Sequence, residues 1–116
     1  MSALPNWLQT LLDRFDATAF NAPRGVARVR LNVPDGGQWD VRVSADGAQV
    51  AAADARSAAD ATLTADRATW ERMAADLRGG MNAFRTGRLI IRHNLNVGVG
   101  FLAATSGMTG PAIRKG

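Results

Sequence analysis

The sequence predicts an α+β domain with a mostly antiparallel sheet, and three patterns carry that prediction. Apolar and polar residues alternate from Ala27 to Val33 and again from Trp39 to Val43, around the turn signal Pro34-Asp35-Gly36-Gly37. That is a hairpin with one wet face. Further on, Trp70, Met73, Ala74 and Leu77 fall at i, i+3, i+4 and i+7, a helical stripe. The strands form a run with helices on its flanks, where a parallel α/β sheet would alternate the two.

In chain order, Trp7, Leu8, Leu11, Leu12, Phe15 and Ala19 recur at helical spacing. They predict a helix over residues 5–20, with Pro5 in its first turn. The hairpin strands follow. Asp46-Gly47 is a second turn signal, and residues 48–53 are the third strand. Residues 61–64 make a short fourth strand. Asp66 suits the N-cap of a helix over 67–77. Gly79-Gly80 ends that helix, and one further helical turn spans 82–86. Residues 88–93 form the fifth strand, and a last helix runs from about Asn94 through Ala104.

The 116 residues suit one domain. We expect it to occupy residues 1–106, with 107–116 as a flexible tail or the start of a linker. The chain has no cysteine, no tyrosine and one histidine. Disulfides, thiolate metal sites and thiol nucleophiles are thereby excluded. The N-terminus has no basic segment ahead of an apolar stretch and no small-residue cleavage site, so it is not expected to act as a signal peptide. The uncharged run 93–113 is long enough to flag a membrane span. Its asparagines, glycines and proline argue against one, and a cytoplasmic protein is expected.

Two enzyme motifs fail on context, and others are absent. Gly98-Val99-Gly100-Phe101-Leu102-Ala103 matches a dinucleotide fingerprint as text, yet no acidic residue follows Asp76. His93 and Ser106 lack a nucleophile elbow. No metal-binding or phosphate-loop spacing occurs. We expect no enzyme activity, no catalytic residue, no metal and no cofactor.

Charge is lopsided. Residues 1–76 carry net −2 and residues 77–116 net +6, which together give the +4 of the chain. Arg78, Arg85, Arg88 and Arg92 fall in the basic part and suit an anionic membrane surface. No nucleic-acid recognition motif accompanies them.

The last helix is apolar on every side and has no charged residue. Such a helix is buried all round, borders something apolar, or meets a partner. Gly98 and Gly100 cost about 1 kcal/mol each relative to alanine inside a helix. Either they leave room beside the helix for a ligand or they permit close packing. The surplus of apolar residues leads us to expect room.

Asp60-Ala61-Thr62-Leu63-Thr64, the Trp70 helix, Met81-Asn82-Ala83-Phe84-Arg85-Thr86-Gly87-Arg88-Leu89-Ile90-Ile91, Asn94-Leu95 and the apolar helix come in a familiar order. The arrangement resembles the sterol carrier protein 2 domain over about residues 26–106. It departs from the family at His93, where glycine is common. The resemblance implies a five-stranded, mostly antiparallel sheet covered on one face by helices and enclosing an apolar cavity. It also implies non-catalytic binding or transfer of a lipid: sterol-like, isoprenoid, fatty acid or fatty acyl-CoA. The lining so implied is Trp39, Val41, Leu63, Trp70, Met73, Leu77, Phe84, Leu89, Ile91, Val97, Phe101, Leu102 and Met108. Bacterial relatives also occur fused to enzymes or beside isoprenoid quinone synthesis. The alternative is therefore an accessory domain docking on a partner or fused enzyme of lipid or quinone metabolism.

Overall fold

The structure, a computed structural model, describes residues 4–16, 20, 25–34, 36–52, 58–75 and 79–106. Its elements are α1 (Asn6–Asp13), β1 (Val26–Val33), β2 (Gly37–Ser44), β3 (Gly47–Ala52), β4 (Ala61–Thr64), α2 (Arg67–Ala75), α3 (Gly79–Arg85), β5 (Ile90–His93) and α4 (Leu95–Ala104). The strands form one sheet in the order β3-β2-β1-β4-β5. Every neighbouring pair is antiparallel except β1 and β4, which run parallel.

Register follows from the alternation. Val29 pairs with Val41 and with Ala61, and Leu31 with Trp39 and with Leu63. Apolar residues thus line up across strands on one face, which a one-residue slip would undo. Ala27, Val29, Leu31, Val33, Val41, Val43, Ala61 and Leu63 are buried there. The other face carries Arg28, Arg30, Asn32, Asp40, Arg42, Thr62 and Arg92 in matching rows. The β2–β3 turn needs Gly47, whose φ of 125° is strained for an L side chain.

The helices cover the apolar face. α4 packs on β1, β4 and β5, while α1 packs on α2 and α2 on α3. The Asn94 side chain accepts a hydrogen bond from the Val97 amide at 3.1 Å and so caps α4. Asp66 does the same for the Thr69 amide at 2.8 Å. Trp7 of α1 stacks on Trp70 at 4.9 Å and meets Trp39 edge-on at 5.5 Å.

Three expectations need correction. The first helix ends at Asp13 and does not run on to 20. Arg14 instead donates hydrogen bonds to the carbonyls of Met73, Ala74 and Thr105, and the Asp16 amide donates to Ala104. These long-range bonds draw the chain off the helical path although Leu12 and Phe15 continue the apolar pattern. Gly79 and Gly80 begin α3, where the sequence placed the end of the preceding helix. The fifth strand starts at Ile90, two residues late, because the Arg88 and Leu89 amides both donate to the Ala83 carbonyl and close α3. Residues 17–19 of the first expected helix lie outside the described residues, as do 76–78 of the second and residue 53 of the third expected strand.

Candidate functional site

The residues put forward as lining come together. Val41, Leu63, Trp70, Leu89 and Phe101 are at most 1% exposed, and Met73, Val97 and Leu102 are buried beside them in one cluster. Trp39, Phe84 and Ile91 are half-buried and pack against that cluster. Leu77 and Met108 lie outside the described residues. The cluster spans the inner sheet face, α2, α3 and α4, and Trp7 closes it from the α1 side.

The glycines of α4 differ from one another. A Cβ on Gly98 would sit 2.5 Å from Cγ2 of Ile91, so the space beside Gly98 is already filled by the sheet. A Cβ on Gly100 would meet the Phe20 ring at 3.5 Å, an ordinary contact. The expected room beside the helix is thus replaced by close helix–sheet packing at Gly98 and by an aromatic neighbour at Gly100.

An open groove of about 650 Å³ lies at the end of the sheet, between α2 and α3. Ala68, Thr69 and Arg72 face it from α2, and Asn82 and Ala83 from α3, with Thr86 just beyond. Pro34, Thr64, Ala65, Asp66, Arg88 and Ile90 complete it. None of the thirteen lining residues put forward above is among them. The Asp66 carboxyl is held below its ordinary value of 3.8, first by the Thr69 side-chain hydrogen bond, then by the Thr69 amide, with Arg88 adding Coulombic help. Asp66 therefore stays ionised at neutral pH. This groove leaves no mark in the hydrophobic pattern, because Ala68, Thr69, Asn82 and Ala83 carry no apolar stripe.

Of the basic residues, Arg85 is exposed on α3, Arg88 on the groove rim and Arg92 on the outer face of β5. Arg78 lies outside the described residues. The outer face also holds a cluster the sequence did not disclose. Asp40, fully buried, accepts hydrogen bonds from Arg28 at 2.7 Å and from Arg30 at 2.7 and 3.0 Å. Among the described residues no group of three or more histidine, cysteine, aspartate or glutamate side chains could hold a metal ion, and no helix is long and apolar enough to cross a membrane.

A mixed five-stranded sheet with helices over one face and an apolar layer between defines a two-layer α+β class of domain. The chain matches the model of the SCP-2 sterol transfer family over residues 8–102, and it belongs to that family. Among solved structures it is similar to a UbiJ-SCP2 ubiquinone synthesis protein, with 19% identity, 87% of this chain and 79% of that chain covered, and a TM-score of 0.56. It is similar to the stereoselective inverting sec-alkylsulfatase Pisa1 from Pseudomonas sp., at 16% identity and TM-score 0.62, covering 88% of this chain and 16% of that one. Sterol Carrier Protein 2 Like 2 from Aedes aegypti matches at 15% identity and TM-score 0.51, covering 83% and 94%. The chain thus spans only about a sixth of the sulfatase. No curated protein matches the sequence.

Proposed function

We propose that this domain binds a lipid between the inner sheet face and the helices and passes it on without changing it. The observation that carries the reading is membership of the SCP-2 sterol transfer family over residues 8–102, on a fold whose apolar layer is built from those same elements. The ligand's apolar body lies against Trp39, Trp70, Phe101 and Leu102. Access is through α1. At eight residues that helix is too short to be stable alone and is held by Trp7, Leu8 and Leu11. Lifting it uncovers Trp70. The first test is native mass spectrometry of the purified protein. A one-to-one adduct of lipid mass, removed by solvent extraction and restored by fatty acid, is the expected result. A protein that never carries or takes up lipid would refute the reading.

A second reading is an accessory domain that docks on another protein or on a fused catalytic domain of lipid or quinone metabolism. The exposed Ile90 and Leu95, at 47% and 50%, favour it, as does the small share of the sulfatase chain that this fold covers. Under this reading the purified domain stays free of lipid, and covering Ile90 and Leu95 is what the partner does.

A further inference from the structure

We propose that the free edge of β3 pairs with β3 of a second copy of this chain, antiparallel about Gln49, so that two five-stranded sheets join into one of ten strands. The inference goes beyond lipid binding and does not depend on it.

The sheet has two edges, β3 and β5, and they are built differently. β5 is four residues long and carries Arg92 and His93, both exposed. Shortness and charged side chains keep an edge from pairing with other chains. β3 runs for six residues with no charged residue and no proline. Its register with β2 is continuous from the Ser44 and Gly47 pair to the Trp39 and Ala52 pair, so no bulge twists it away. In an antiparallel ladder alternate residues turn their N–H and C=O groups outward. Among the described residues nothing hydrogen-bonds to that outer side of β3.

The side chains select the occupant. Ala48 and Val50 lie on the inner face, half-buried at the margin of the core, while α4 packs on β1, β4 and β5, away from them. Gln49 and Ala51 are exposed on the outer face. A two-fold axis through Gln49 places Ala48 of each copy opposite Val50 of the other and brings the two Gln49 amides together. Inner-face residues stay inside and outer-face residues outside, as the period of two requires. A small apolar residue meets a larger one, amide meets amide, and no charge is opposed. The strand is therefore complementary to itself, as a two-fold contact demands. An extended segment of another protein would need no such internal match. The edge left at each end of the joined sheet is β5, guarded by Arg92 and His93, so assembly closes at the dimer. One strand pair is small beside a standard interface of about 1,600 Å², so the dimer is weak and concentration-dependent.

The test is sedimentation equilibrium of the whole chain at low ionic strength, from micromolar concentration up to about 1 mM. Wild type, Gln49→Lys, Gln49→Glu, an equimolar mixture of those two, and Ile90→Lys are compared. Gln49 and Ile90 are both exposed, so the substitutions leave the monomer folded, which thermal melts check. Ile90→Lys adds the same charge on β5 and so controls for net charge and for pairing through the other edge. The wild type should show a monomer–dimer equilibrium. Each Gln49 variant alone should dimerise about fivefold more weakly, as one like-charge pair at a cross-strand site gives. The mixture should recover wild-type affinity or better, because lysine then faces glutamate, and Ile90→Lys should behave as wild type. A wild type that stays monomeric throughout overturns the inference. So does a mixture that associates no more tightly than its separate variants, or a loss in Ile90→Lys equal to that in Gln49→Lys. None of these outcomes bears on lipid binding.

Discussion

Ile91 of β5 occupies the place that a side chain on Gly98 of α4 would need, with Cγ2 2.5 Å from the position of such a Cβ. Because Cγ2 is attached directly to a branched carbon, it moves only if the whole side chain turns. Gly98→Ala should therefore destabilise the fold by about 1–3 kcal/mol despite the better helix propensity of alanine. Gly100→Ala, facing Phe20 at 3.5 Å, should stabilise by about 0.5–1 kcal/mol. Urea melts of the two variants give the comparison. Equal effects of one sign would contradict it, and adding Ile91→Ala should return part of the loss at Gly98.

His93 is the one described non-glycine residue with positive φ, at 71°. It ends β5 opposite Ala61, and the Asn94 amide that follows donates to the Asp60 carbonyl. These bonds and the Asn94 cap hold the junction in a conformation that costs a side-chain-bearing residue about 1–2 kcal/mol. His93→Gly should raise stability by somewhat under 1 kcal/mol, since glycine also loosens the unfolded chain. A few degrees of increase in Tm is the expected readout, and a decrease would mean that the imidazole contributes contacts outweighing the strain.

Asp40 is buried beneath Arg28 and Arg30 on the outer sheet face. Asp40→Asn keeps the shape but leaves two guanidinium groups without their carboxylate. Losing one partner of a buried pair costs about 3–5 kcal/mol. The arginines are 28% and 15% exposed, so water offsets part of this, and a loss of about 2–3 kcal/mol is expected. Urea denaturation at neutral pH measures it. A neutral outcome would show that the cluster is solvated in practice.

Asp66 makes one pH-dependent contribution predictable in sign. Its folded value lies below 3.8, so its stabilising effect is complete well above that pH and is lost as the pH falls through the lower folded value. Asn is an equally good N-cap, so Asp66→Asn should alter the fold little. The stability gap between wild type and variant should be widest near neutrality and close below pH 3.8. A gap that stays constant down to acid pH would contradict the hydrogen-bonded, ionised cap.

Most of the fold was legible because the signals were local. Alternation set the faces of β1 and β2, the bounds of β4 agree with the sequence, and Asp66 and Asn94 cap the helices where their side chains suggest. Contacts between distant residues were not legible. The end of α1 depends on Arg14 reaching carbonyls near residues 73 and 105. The roles of Gly98 and Gly100 depend on what stands opposite each. The site was harder still. Apolar periodicity reports that Leu63 or Phe101 is buried, and it carries no information on whether a ligand shares that interior. The groove is built from alanine, threonine and single charges, which no periodicity marks.

If an apolar chain enters the layer between sheet and helices, the three tryptophans report on it directly. Trp7, Trp39 and Trp70 are the only tryptophans of the chain; Trp7 stacks on Trp70 of α2 and meets Trp39 of β2 edge-on. Bromine quenches tryptophan emission only at near contact, so titration with a dibrominated stearic acid tests the claim. Saturable quenching at one equivalent, reversed by unlabelled stearate, is the expected result. Unquenched emission at saturating ligand, or quenching no greater than that of a free tryptophan derivative, would contradict it.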